Sequence, residues 1–572
     1  MPEIAPSAEV SHSGELHIPP SAPSAREAAT VAVLSSALFL FHLGSFGLWE
    51  PDEGRYAEIA REMIESGGLI VPHLNYVAYI EKPPLLYWAT ALSMRIFGVN
   101  EFAARLPVAI AAVIGVLAGY YFVYRVFDRR RAILAAAILA TSPLYAVLAQ
   151  TLTTDMMLAA MVTIAWFALF LHWREGGRWC WIAYVAMALA VLAKGPVGAA
   201  LPILATAAFL LWNRELRGSI GRFRVIPGIA LMLAIAAPWF VVAAIREPGF
   251  TDFYFIGEHL RRALDPTYSH TEPFYFYFPV IVLGLLPWSL MSPLFAWSEV
   301  PPNPARRFCI CAATVTIAAF SCANAKLIPY VLPAAAPISV LIADGIATCA
   351  WPAPGARAAV RPPDSRILRE VGPLLSLMGV AAIASAIEAA HFRTPYVMAV
   401  RPALVAIGLI MLAGGMVATA MFRARRAAAG LAAITITMAF ALIAGGWARI
   451  DAEPLRSYAD LSRTVAMKEP DATLICYHRY VQSLAFYNRR RVILVGQLNE
   501  LDFGAKRADD AAQWFPTTDE QLLALWKQPK KSVLLIDQPE LERLGARLAP
   551  YELIAAEGRK RAIIKSDAAD SK

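Results

Sequence analysis

The sequence predicts a polytopic α-helical membrane protein with about thirteen transmembrane helices, followed by a small α/β domain at its C-terminus. Three observations carry that reading. Hydrophobic residues make up 58% of the chain and charged residues only 17%, and the mean hydropathy is +0.50, outside the usual range for water-soluble domains. Apolar runs of roughly 17 to 23 residues recur along most of the chain, each long enough to cross about 30 Å of hydrocarbon as a helix. Beyond residue 450 those runs stop, and short strand-like segments replace them.

Residues 1–27 are polar and rich in Pro and Ser, with no cleavable signal peptide. The membrane domain is expected over 28–450, with helices near 28–48, 104–125, 131–150, 155–172, 179–193, 197–212, 224–245, 275–297, 308–324, 327–349, 371–391, 399–421 and 428–447. The two runs that flank Lys194-Gly195-Pro196 are short, so this pair reads either as two spans or as a re-entrant hairpin.

Arginine marks one face. Arg129 to Arg131, Arg174 and Arg178, Arg214 to Arg224, Arg306 and Arg307, and Arg423 to Arg426 sit in alternate connections. Basic residues favour the cytoplasmic side, which makes the N-terminus cytoplasmic and places loops 49–103 and 246–274 on the opposite face. An odd number of spans then exports residues 451–572, where Arg491-Val492-Ile493-Leu494-Val495 and Ser532-Val533-Leu534-Leu535-Ile536-Asp537 read as buried strands.

The loop 49–103 is too long for a link. Tyr56, Ile59, Ala60, Met63 and Ile64 recur at helical spacing, which predicts an amphipathic helix lying along the membrane surface. A second such helix is expected after Lys82-Pro83-Pro84, since proline suits a first turn and Leu85, Leu86, Trp88, Ala89 and Leu92 share a face.

The net charge of +8 does not point to nucleic acid, because topology accounts for the arginines. The six cysteines lack metal-type spacing and read as small buried residues. GxxxxGK[ST], a strand-linked GxGxxG and HExxH are all missing from the sequence, so ATP-driven transport, dinucleotide chemistry and zincin proteolysis lose their usual support.

Several ionisable groups fall at the mouth of the same face. Asp52 and Glu53 follow the first span, and Asp155 closes Gln150-Thr151-Leu152-Thr153-Thr154-Asp155 at another helix start. Such acids serve as catalytic groups for substrate protons, although helix capping explains an acid there equally well. Lys82, Lys194 and Lys326, with Arg55 and with Arg262 in the loop Glu258-His259-Leu260-Arg261-Arg262, suit a lipid phosphate that must be neutralised as it leaves. Snorkelling to the headgroups is the plain alternative for any single lysine. No cofactor is required for that chemistry, and a divalent ion at Glu81, His259 and His270 is the open alternative, although their spacing matches no ligand motif.

The motifs Asp52-Glu53-Gly54-Arg55-Tyr56-Ala57-Glu58, Tyr79-Ile80-Glu81-Lys82-Pro83-Pro84-Leu85, Ala104-Arg105-Leu106-Pro107, Leu192-Ala193-Lys194-Gly195-Pro196 and Lys326-Leu327-Ile328-Pro329-Tyr330 run through the membrane part. Gln482-Ser483-Leu484-Ala485-Phe486-Tyr487 and Asn499-Glu500-Leu501-Asp502-Phe503-Gly504 extend them into the C-terminal part. As a set they resemble the 4-amino-4-deoxy-L-arabinose transferase (ArnT) family, within the protein mannosyltransferase-like group.

That resemblance implies a GT-C glycosyltransferase fold in a bacterial inner membrane, acting as a monomer. The implied donor is undecaprenyl-phosphate aminoarabinose and the implied acceptor a lipid A phosphate on the periplasmic leaflet, a modification tied to resistance against cationic antimicrobial peptides. By motif, Asp52 and Asp155 match the family's two acids and Lys82 its phosphate-contacting lysine, while Arg55, Tyr56, Tyr79, Glu81 and Tyr330 line the same cavity. A related transferase of another sugar, or one acting on a hydroxyl, is the nearest alternative. A transporter or flippase is the alternative from another class, against which stand the long outer loops and the absence of a visible inverted repeat.

Overall fold

The computed structural model describes residues 23–261, 272–296, 303–351, 362–389 and 394–565. Of the expected site residues, Arg262 and His270 lie outside the described residues, as does the side chain of His259.

Each predicted apolar run is helical along most of its length. The chain opens with α1 (Ala25–Leu40), and the long loop carries α2 (Asp52–Ser66), the hairpin β1 (His73–Leu74) and β2 (Val77–Ala78), and α3 (Leu85–Phe97). There follow α4 (Glu101–Val126), α5 (Arg129–Thr141), α6 (Pro143–Leu148), α7 (Thr154–Glu175), α8 (Trp179–Lys194), α9 (Val197–Trp212) and α10 (Val225–Arg246). After α11 (Tyr277–Gly284) come α12 (Pro304–Ser321), α13 (Ala335–Ala350), α14 (Pro362–Glu388), α15 (Pro395–Arg423) and α16 (Ala427–Arg456).

Seven helices among the described residues are long and apolar enough to cross a membrane, or eight if the bent pair Tyr277–Gly284 and Trp288–Leu294 counts as one span. Three runs expected as simple spans have another form, and the pair flanking Lys194-Gly195-Pro196 is short. The first ends its helix at Leu40 rather than at residue 48. Residues 131–150 divide into α5 and α6 at Ser142-Pro143, because proline cannot donate to the helix ladder. Residues 275–297 bend by 99°. Helices α8 and α9 have 16 residues each, which at 1.5 Å per residue is about 24 Å, short of a full crossing.

The loop 246–274, expected on the outer face, includes a π-helical stretch at Asp252–Arg261. Phe250 and Tyr254 stack there at 5.4 Å and pack against Trp239 and Phe240 of α10.

The C-terminal part begins with α17 (Ala459–Lys468) and contains β3 (Thr473–Tyr477), α18 (Gln482–Asn488), β4 (Val492–Val495), α19 (Asp519–Lys527), β5 (Ser532–Asp537), α20 (Gln538–Leu548), β6 (Tyr551–Glu557) and β7 (Lys560–Lys565). The strand order is β4-β3-β5-β7-β6, with β3 parallel to both β4 and β5 and the β6/β7 hairpin antiparallel. The two predicted strands are β4 and β5, and their near-continuous apolar sequence reflects burial on both faces.

This domain sits on the long loop. Asn75 donates its amide to the Val492 carbonyl at 2.8 Å and accepts from the Val492 N–H at 2.9 Å. Leu48 N–H donates to the Tyr487 hydroxyl, which donates to Glu101 at 2.8 Å. The polar face of α2 is therefore covered as well as its apolar face: Glu58, Arg61 and Glu62 are all buried. Arg61 satisfies Glu58 at 2.7 and 2.8 Å, which makes that burial tolerable.

Candidate functional site at the mouth of the membrane domain

Helix α2 starts directly after Pro51, so Asp52 lies in its first turn, where the helix dipole favours an acid. The Asp52 side chain is 55% exposed and stands 3.6 Å from Arg55. Arg55 itself is 3.7 Å from Glu500, a residue of the C-terminal domain. Its buried Nε–H has no hydrogen-bond partner among the described residues, so its charge is balanced while a donor is left unfilled.

Tyr56, the next residue, is buried. Burial raises its hydroxyl pKa far above the usual tyrosine range, and the charges of Asp52, Asp155 and Glu81 raise it further. Three carboxylates from separate segments thus bear electrostatically on one phenol. Tyr79 donates to Glu81 at 2.8 Å, and the Lys82 ammonium donates to the Glu81 carbonyl at 3.3 Å.

Asp155 lies in the first turn of α7 and Lys194 in the last turn of α8, each at the helix end its charge suits. The two form a partly buried ion pair. The Lys194 ammonium also lies 4.2 Å from the centre of the Tyr330 ring, within cation–π range. The structure therefore gathers Asp52, Arg55, Tyr56, Tyr79, Glu81, Lys82, Asp155, Lys194 and Tyr330 into one region.

Two expected residues, Glu53 and Lys326, are engaged within the fold. Glu53, read as a catalytic acid, is 2% exposed and accepts four hydrogen bonds: two from Arg105, one from Trp49 N–H and one from Leu152 N–H. Burial alone would raise its pKa, yet the Arg105 guanidinium holds the carboxyl below the usual range. A carboxylate so fully occupied positions the chain and does not exchange protons. Lys326 is buried and donates to the Glu272 carbonyl at 2.8 Å, which fixes the segment before Tyr330.

No group of three or more His, Cys, Asp and Glu that could hold a metal ion occurs among the described residues.

Sequence reasoning missed the parts played by Arg105 and Glu500. An arginine within an apolar run on the Arg-poor face was a usable signal for Arg105. Nothing local marks Glu500, because only the fold brings it to Arg55.

The profile for dolichyl-phosphate-mannose-protein mannosyltransferases matches residues 81–241, and that for the aminoarabinose transferase C-terminal domain matches residues 461–565. An undecaprenyl phosphate-alpha-4-amino-4-deoxy-L-arabinose arabinosyl transferase of Pectobacterium carotovorum is 30% identical over 380 residues, covering 64% of this chain and 67% of the relative. The chain belongs to this arabinosyl transferase family.

A member from Shewanella sediminis is 32% identical over 330 residues, a match that spans 56% of this chain and 59% of the relative's own length. The crystal structure of ArnT from Cupriavidus metallidurans bound to undecaprenyl phosphate superposes with a TM-score of 0.84 at 25% identity, over 95% of this chain and 99% of that one. The arabinosyl transferase family thus accounts for both parts of the chain, a GT-C membrane domain and its C-terminal α/β domain.

Proposed function

We propose that this chain transfers 4-amino-4-deoxy-L-arabinose from undecaprenyl phosphate to a lipid A phosphate, with the site and the C-terminal domain on the periplasmic side of the inner membrane and the N-terminus in the cytoplasm. The observation that carries this reading is the cluster in which Asp52 stands beside Arg55, Asp155 pairs with Lys194 over the Tyr330 ring, and Glu81 holds Tyr79.

A phosphate monoester oxygen is already anionic near neutral pH, so the acceptor needs no strong base. It attacks C1 of the sugar with inversion, the bond from C1 to the undecaprenyl phosphate oxygen breaks, and the released phosphate carries the negative charge. Arg55, with its unfilled Nε–H, and Lys82 are the groups we assign to that charge. Asp52, the exposed acid of the cluster, is suited to hold the ammonium of the donor sugar. Asp155 and Lys194 form a fixed pair that shapes the opposite wall. The donor is already activated, so this reading calls for no cofactor, and Glu81 holds the Tyr79 hydroxyl.

The test is mass spectrometry of lipid A from cells that make the donor and carry the wild-type chain, Asp52→Ala, Lys82→Ala or no transferase. Aminoarabinose mass is expected in the wild type alone, with both variants still folded in the membrane. Unmodified lipid A in the wild type, with donor present, would overturn the reading.

A further inference from the structure

The C-terminal domain has a second concave site that the transfer reaction does not use. It is a cleft of about 500 Å³, within the size range of small-molecule sites. The floor is formed where β3 and β5 begin, at Thr473, Ile475 and Ser532, and the walls come from α19 and the short helix Ala511–Trp514. Strand β3 leaves the cleft and leads at its other end to α18, whose Ser483 touches the catalytic loop through Glu50. With about 3.3 Å per residue along the strand, the cleft lies on the order of 15 Å or more from that contact.

The lining is selective in its chemistry. It presents the side chains of Thr473, Gln513, Trp514, Gln521, Gln528 and Lys530, and it contains no Asp or Glu. A cation would find no counter-charge there, and a nucleic acid would need several cations rather than one lysine. Amides that both donate and accept suit a ligand dense in hydroxyls. The Thr473 hydroxyl is buried without a hydrogen-bond partner among the described residues, and the side-chain oxygen of Gln521 is already taken by the Thr517 and Thr518 N–H groups, leaving its NH₂ to donate.

Trp514 is held in place before any ligand arrives. It packs against the hydrophobic core, and the Arg491 guanidinium, itself paired with Asp510, covers the ring at 4.4 Å. A fixed ring costs little entropy to use as a stacking platform for the C–H face of a sugar.

We propose that this cleft binds a phosphorylated oligosaccharide, the glycan that projects from the membrane on a glycolipid acceptor. Trp514 stacks on a sugar ring, Gln513 and Gln528 read its hydroxyls, and Lys530 meets its anionic group. The identity of the glycan rests on the lipid A reading above, whereas saturable saccharide binding at Trp514 does not.

The test is isothermal titration of the full-length protein in detergent with the water-soluble phosphorylated oligosaccharide released from lipopolysaccharide by mild acid. Wild type is expected to bind saturably, with affinity lowered about tenfold in Trp514→Ala and several-fold in Gln513→Ala and Lys530→Ala, two exposed positions where folding is not at risk. Transfer to lipid A lacking the oligosaccharide should be unchanged in all three, so a failure of the transfer reading shows in that arm alone. Absence of saturable binding by the wild type, or binding by all three variants as tight as the wild type's, would overturn the proposal.

Discussion

Arg105 and Glu53 meet as a buried two-pronged pair, Nε to Oε1 at 2.8 Å and Nη2 to Oε2 at 2.7 Å. The remaining guanidinium donors reach the carbonyls of Leu43, Phe46 and Gly47 at 3.0, 2.9 and 2.9 Å, where α1 has already unwound. One arginine thus ties the end of the first helix to α2 and, through the Leu152 N–H on Glu53, to the segment before α7. Arg105→Ala removes the paired cation and two of the four hydrogen bonds of the buried Glu53 carboxylate and takes the donor from three carbonyls, and breaking such a pair costs about 3–5 kcal/mol. Thermal unfolding in detergent should show a large drop in melting temperature. Lost transfer with unchanged melting would instead place Arg105 in the chemistry.

Asp155 and Lys194 form the other pair of opposite charges at the site, and their partner Tyr330 caps the ammonium. Asp155→Asn keeps the shape and removes the charge that holds Lys194. Turnover is expected to fall about 100-fold, the size of a lost electrostatic contact in a preorganised site, with the protein still folded. Steady-state kinetics with purified donor and acceptor measures this, and an unchanged kcat would reduce the pair to a structural staple.

The spans and the two loop helices were legible because hydrophobic periodicity is a local property. Lys194 and Asp155 were legible as ionisable groups at helix ends, where the membrane makes an unpaired charge expensive. Their pairing was not, since it depends on α7 and α8 packing side by side. Glu53 was misread for a related reason: sequence shows two adjacent acids, and helical geometry turns Asp52 outward and Glu53 into the core. The breaks at Ser142-Pro143 and in 275–297 interrupt runs whose hydropathy is continuous, so composition carried no sign of them beyond proline itself.

Glu500 bears on Arg55 from the C-terminal domain, and the Gln482 amide donates to it in turn. With Glu500→Ala, Arg55 keeps Asp52 as its acidic neighbour and is drawn toward it. We expect KM for the undecaprenyl-linked donor to rise about tenfold with a smaller change in kcat, the signature of weakened ground-state binding. Glu500→Gln should recover part of that loss by keeping the contact with Gln482. Equal KM values across the three proteins would show that the C-terminal domain does not position Arg55.

Glu50 accepts the Ser483 N–H at 2.8 Å, so its carboxyl is one of the groups that join the 49–103 loop to the C-terminal domain. Burial raises its pKa from 4.5 to about 7, only partly offset by Ser483, Arg479 and Arg55. A carboxyl whose pKa is higher in the folded state than in the unfolded chain binds its proton more tightly when folded. The stability it contributes is therefore complete below about pH 4.5 and is lost as pH rises through about 7. The melting temperature of the purified protein is expected to decline across that window, and Glu50→Gln, which stays neutral, should flatten the decline. Because Asp52 follows on the same turn of chain, the same variant should also move the alkaline side of the transfer rate profile. A wild-type slope retained in Glu50→Gln would assign the pH dependence to another group, with Glu62, whose pKa burial also raises, as the next to replace.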